Sequence, residues 1–79
     1  MDEFSPIAHF TVPWGRQQIE LQEARFDAGG AALLRIRIRE GRRFTIFDVD
    51  AATAQAWGAA MQQWAAVQLG DRAADAGKA

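Results

Sequence analysis

The chain has 79 residues, nine basic and ten acidic side chains, a net charge of −1 and no cysteine. That length holds one domain and buries only about 60% of the unfolded surface, so the fold is marginal unless a further staple is added. Disulfides, thiolate nucleophiles and thiolate metal sites are excluded, and the near-neutral charge argues against the pervasive basicity of many nucleic-acid binders.

Residues 1–6 (Met-Asp-Glu-Phe-Ser-Pro) are acidic and interrupted by proline. They read as a flexible N-terminus rather than a secretory signal. No apolar run approaches the ~20 residues of a membrane span, so a cytoplasmic protein without membrane contact is expected. Residues 7–69 form the expected single domain and 70–79 a flexible tail.

From Ile7 to Val12, Phe10 and Val12 alternate against His9 and Thr11, which predicts a short first strand. Val12-Pro13-Trp14-Gly15 reads as a tight turn, and Trp14 there either packs under a helix or stands exposed. Gln17–Phe26 is a second strand with Ile19 and Leu21 inward, and Asp27-Ala28-Gly29-Gly30 closes it with a turn. That turn pairs Glu20 with Arg37, Gln22 with Arg35 and Leu21 with Ile36. It leaves Glu23 opposite Leu34 on the core side, a misfit that a bulge near Glu23-Ala24 would repair.

Leu34-Arg35-Ile36-Arg37-Ile38-Arg39 alternates strictly, the mark of a third strand with one buried and one cationic face. Five of the eight arginines fall within residues 35–43. A fourth strand follows from Phe44 to Phe47. A three-residue loop, Arg39-Glu40-Gly41, pairs Ile36 with Phe44 and Leu34 with Ile46. It keeps the core face apolar and puts Arg43, Thr45 and Phe47 on the arginine face. Asp50 is a suitable N-cap for a helix over Ala51–Leu69, with Gly70 as its stop. Trp57, Ala60, Met61, Trp64 and Gln68 share one helical face, the expected lid on the sheet. The opposite face, with Gln55, Ala59 and Gln62, carries no charge.

The predicted fold is therefore α+β: a three- or four-stranded antiparallel meander followed by one C-terminal helix packed on one sheet face. Its core is Ile19, Leu21, Leu34, Ile36, Ile38, Phe44, Ile46, Trp57, Met61 and Trp64.

Catalytic chemistry finds little support. His9, the single histidine, has no partner for a triad or a metal site. Asp48 and Asp50 fit a strand end and a helix cap better than a cation site. No catalytic residue, cofactor or metal ligand is assigned, and no enzymatic activity is expected. The arginine row, with Arg35, Arg37, Arg43 and Phe47 as candidate partner-binding residues, has three readings. It is a solvated sheet face, a contact for an acidic protein or second copy, or a weak nucleic-acid face combining phosphate contacts with a stacking ring. The marginal core, the uncharged helix back and the Arg/Phe face together point to a homodimer, through either the helix back or the sheet row.

Val12-Pro13-Trp14-Gly15, Arg37-Ile38-Arg39-Glu40-Gly41, Arg43-Phe44-Thr45 and Trp57 resemble a small bacterial family of uncharacterised proteins, over residues 10 to about 65. That resemblance implies no particular activity. Ile36-Arg37-Ile38-Arg39-Glu40, followed by Phe44-Thr45-Ile46-Phe47 and Trp57, is more loosely similar to the positive-cofactor-four single-stranded-DNA-binding coactivators. Those proteins dimerise and place several strands before one helix. The DNA-facing lysines and aromatics of that family are largely missing here, and Arg37 stands where it has an aspartate. The sequence thus favours a non-catalytic binding module for an acidic or anionic partner. Single-stranded nucleic-acid binding linked to transcription, and a structural subunit of a larger assembly, are the alternatives.

Overall fold

A computed structural model describes residues 2–26 and 30–77, with the backbone alone for 71–77. Four antiparallel strands lie in the order β1-β2-β3-β4: β1 Glu3–Thr11, β2 Gln18–Arg25, β3 Leu33–Glu40 and β4 Arg43–Val49. One helix, α1 (Ala51–Gly77), follows and lies over β3. This is the expected α+β meander with its C-terminal helix.

β1 starts earlier than its alternation suggests because Phe4 finds Phe26 edge-on, with ring centroids 6.1 Å apart. Its ladder to β2 shifts between Pro6 and Ala8, leaving Ile7 as a bulge. The four-residue loop Pro13–Arg16 is closed by the Val12 N–H donating to Gln17 O at 2.8 Å, and the Arg16 N–H donates to Val12 O at 2.8 Å. The β2–β3 register is the one read from sequence, with Glu20 opposite Arg37, Leu21 opposite Ile36 and Gln22 opposite Arg35. β2 carries no bulge: Glu23 stays opposite Leu34 and reaches sideways to Arg25 at 3.3 Å. Of the expected turn between these strands, Asp27, Ala28 and Gly29 lie outside the described residues.

The β3–β4 register differs from expectation. Glu40 pairs with Arg43 across the two-residue turn Gly41-Arg42, and Ile36 faces Phe47 rather than Phe44. Gly41 has φ 61° and Arg42 does not share its positive φ, the type II′ pattern whose twist matches paired strands. Every β4 side chain is thereby turned over. Phe44, Ile46 and Asp48 join the arginine face, while Arg43, Thr45, Phe47 and Val49 go to the helix side. The physical reason is Asp48, which shares a strand face with Phe44 and Ile46. The three-residue loop would have driven its carboxylate under the helix, whereas the observed register sets it opposite Arg35.

Asp50 caps α1 as expected. Its carbonyl accepts from the Ala54 N–H at 2.9 Å, and its carboxylate accepts from the Thr53 N–H at 3.3 Å and from the Thr53 hydroxyl. The helix does not stop at Gly70, which lacks a positive φ and is carried through to Gly77. A glycine inside a helix costs only about 1 kcal/mol and ends it chiefly where the left-handed cap forms. The helix is also rotated from the predicted lid. The half-buried residues are Ala54, Gly58 and Ala65, small side chains that let the helix approach. Trp57 and Met61, as expected of the lid, still line an apolar cavity against Leu21 and Ile36, while Trp64 is turned out to the flank. Trp57 stacks on Phe47, with centroids 6.0 Å apart and planes at 27°.

The core is correspondingly thin. Among the described residues only Ala24 and Ile36 are fully buried. Ile19, Leu21, Leu34 and Ile38 are half-buried. Phe44, Ile46, Met61 and Trp64, expected inside, are about half or more exposed.

Candidate binding face

The sheet side away from α1 is built by cross-strand rows. Pro6, Gln22, Arg35 and Asp48 form one; His9, Glu20, Arg37 and Ile46 the next; Thr11, Gln18, Arg39 and Phe44 the third. The alternation of β3 puts all three arginines on this open side. Each leans on an aromatic ring through its apolar and π faces.

Arg35 is the most constrained. Its guanidinium carbon lies 4.7 Å from the centre of the Phe4 ring and 5.6 Å from that of Phe26. Its Nε donates to Asp48 Oδ1 at 2.9 Å and its Nη2 to Oδ2 at 3.2 Å, a two-pronged pair. The hydrogen bonds from Arg35 are the main reason the Asp48 carboxyl is held below the ordinary carboxylate range, with desolvation opposing and the cation's charge adding. The same hydrogen bonding raises Arg35 further above its already high value. Asp50 is likewise lowered, chiefly by the Thr53 hydroxyl.

Arg37 stacks on Phe44 at 4.7 Å and Arg39 approaches the same ring at 5.9 Å. The Arg39 Nε donates to Gly41 O at 3.1 Å. Neither arginine is ion-paired with a carboxylate among the described residues. Of the four residues singled out from sequence, Arg35 and Arg37 therefore share this face, whereas Arg43 and Phe47 lie on the opposite one. Arg39, Phe44, Phe4 and Phe26 belong to it instead. Arg39 was visible in the alternation itself, and Asp48 was the signal for the register that brings Phe44 across.

Charge is also sorted along the strands. The end bearing the β1–β2 loop and the β3–β4 turn holds Arg16, Arg39, Arg42 and Arg43 with Glu40. Gly15, Arg16, Gln18, Arg39 and Gly41 enclose a shallow depression of about 300 Å³ there. Trp14, before Gly15 in the β1–β2 loop, is 94% exposed. Arg16 has φ 58°, where glycine would be cheaper by roughly 1–2 kcal/mol. His9 is exposed, and no group of three or more His, Asp or Glu among the described residues is placed to hold a metal ion. No helix among them is long and apolar enough to cross a membrane.

A family model described as a family of unknown function (DUF6967) matches residues 1–67. The chain belongs to the DUF6967 family. The match takes in all four strands and the first four turns of the DUF6967 helix, so it includes both sheet faces. No curated protein and no solved structure matches the chain. The likeness to the positive-cofactor-four proteins therefore rests on element order and a few side chains alone.

The Arg35–Asp48 pair carries a prediction about acid. A carboxyl with a lowered folded pKa contributes stability that is fully present above its unfolded value, near 3.9 for aspartate, and is lost as pH falls through the folded value. Urea unfolding is expected to show constant stability from pH 7 to about 5, then a decline below about 4 as Asp48 and Asp50 take up protons. Asp48→Asn is expected to lower the neutral plateau and flatten the acid decline. Identical curves for the two proteins would show that the pair adds nothing.

Proposed function

We propose that the chain is a cytoplasmic, non-catalytic binding module whose open sheet face receives an acidic or anionic partner. The observation that carries this is Arg37, its guanidinium carbon 4.7 Å from the centre of the Phe44 ring, beside Arg39 at 5.9 Å on the sheet face away from α1, with neither engaged by a described carboxylate. Cation–π contact with one shared ring favours a restricted set of positions for the two guanidinium groups, whose remaining N–H donors suit carboxylates and phosphates. Arg35, tied to Asp48 and two rings, anchors the row rather than offering a free fork.

Single-stranded nucleic acid is the second reading, and Trp14 favours it. An almost fully exposed indole in the same loop as Arg16 offers one stacking platform, and Arg16 and Arg39 line a common depression that supplies phosphate-binding charge.

Titration with a labelled oligonucleotide and, separately, with a glutamate-rich peptide at low and high salt tests both. Three phosphate contacts per chain, from Arg16, Arg37 and Arg39, give a log–log salt slope of about −2 on a single strand. The expected outcome is measurable peptide binding with weaker oligonucleotide binding. Tight oligonucleotide binding with that slope makes nucleic acid the ligand. No binding of either leaves a structural subunit as the reading.

A further inference from the structure

Two features on the same side of the molecule lack a partner. The first is β4, which ends the sheet without proline, lysine or bulge across Arg43–Val49. The other outer strand, β1, is interrupted by Pro6 and the Ile7 bulge, the usual guards of an edge. The second is a stripe on α1 at Trp57, Ala60, Trp64 and Val67, spaced i, i+3, i+7, i+10 and thus on one flank. Trp57, Trp64 and Val67 are 39, 69 and 58% exposed. The stack of Trp57 on Phe47 puts that flank above β4.

We propose that a second copy of the chain adds its β4 antiparallel to this one, joining two four-stranded sheets and packing the two tryptophan flanks over the seam. The strand is complementary to itself only in that direction. It opens with Arg42-Arg43 and closes with Asp48 and Asp50, so antiparallel pairing brings each basic end near the other copy's acidic end, and parallel pairing opposes like charges. With Arg43 and Asp48 on opposite sheet faces, the match is between strand ends and not between directly paired side chains. A two-fold axis perpendicular to the sheet keeps both helices on one side. Each helix lies over its own β3, and the two β3 strands would be three strand spacings apart, about 14 Å. Helices in direct contact sit at about 8–10 Å, and two facing indoles fill the difference. Half-exposed aromatic and aliphatic side chains on this side supply roughly 500–600 Å² per copy, so with the strand backbone a pair reaches about 1,200 Å², the threshold of stable interfaces. This seam is neither the glutamine-bearing helix back nor the arginine row, and it stands whatever the arginine face binds.

The absence of cysteine makes the test clean. Single variants Thr45→Cys, Ile46→Cys and Phe47→Cys sample the middle of β4, and Thr11→Cys marks the β1 edge. Residues facing each other across an antiparallel pair have Cα atoms about 4.5–5.5 Å apart, within reach of a disulfide. Mild oxidation is expected to cross-link at least one β4 variant into a dimer well beyond the yield from Thr11→Cys. Light scattering should show a dimer of the wild-type chain, and Trp64→Arg, at an exposed position, should weaken it at least tenfold with an unchanged circular-dichroism spectrum. A monomer at high micromolar concentration overturns the proposal. So does a dimer that none of the β4 cysteines traps, or one that Thr11→Cys traps equally well.

Discussion

Ile36→Ala is expected to leave much of the chain unfolded at room temperature. Ile36 is 4% exposed, at the centre of β3, with Leu21 and Phe47 as its cross-strand neighbours. Truncating a buried isoleucine to alanine costs about 2–5 kcal/mol through lost transfer energy and the cavity left behind. A domain of this size has roughly 4–12 kcal/mol in total, and a core with two fully buried residues belongs at the low end. Ile46→Ala removes the same atoms from a side chain 52% exposed on the arginine face, and is expected to cost under about 1 kcal/mol. Urea unfolding of the two variants checks the contrast. Equal midpoints would mean that the register of β4, and with it the assignment of inside and outside, is wrong.

The second large effect is on binding. Arg37→Ala with Arg39→Ala is expected to abolish most affinity for anionic ligands. On a single strand the salt slope should become shallower by about 0.7 for each phosphate left without its arginine. Stability should change little, because exposed cation–π pairs contribute only about 0.5–1 kcal/mol each. Arg37→Lys separates charge from stacking. It keeps the cation but gives up the guanidinium contact with the Phe44 ring, so the salt slope should persist while affinity falls several-fold. Wild-type affinity in the double alanine variant would remove the open sheet face from consideration.

The sequence carries some of this structure more clearly than the rest. Strict alternation in β3 leaves one possible inside, so the β2–β3 register follows from Leu21, Ile36 and the polar residues between them. β4 is different because Phe44 and Ile46 on one face rival Phe47 and Val49 on the other. A hydrophobic pattern cannot choose between two apolar faces; only Asp48, wanting a cation, breaks the tie. The ambiguity propagates to the site: alternation alone places Arg35 and Arg37 beside each other, whereas Arg43 and Phe47 change sides with their strand. The helix start is legible at Asp50, since a cap is a local device. Its rotation is not, because the largest side chains are expected to face the sheet, whereas the alanines and Gly58 take the close approach. Nothing local fixes whether Trp14 folds in or out.

The interruption of β1 at Pro6 and Ile7 has a bearing on how far such a sheet can grow. A sheet open at both edges propagates, each added copy bringing a further open edge, and the product is a fibre whose length is set only by supply. With one edge spoiled, growth through the other consumes the only productive end on each molecule. Assembly then terminates at a closed, countable size. If β4 pairs as proposed, restoring regular pairing at that point, by Pro6→Thr and deletion of Ile7, is expected to open a second edge and convert the dimer into a polymerising species.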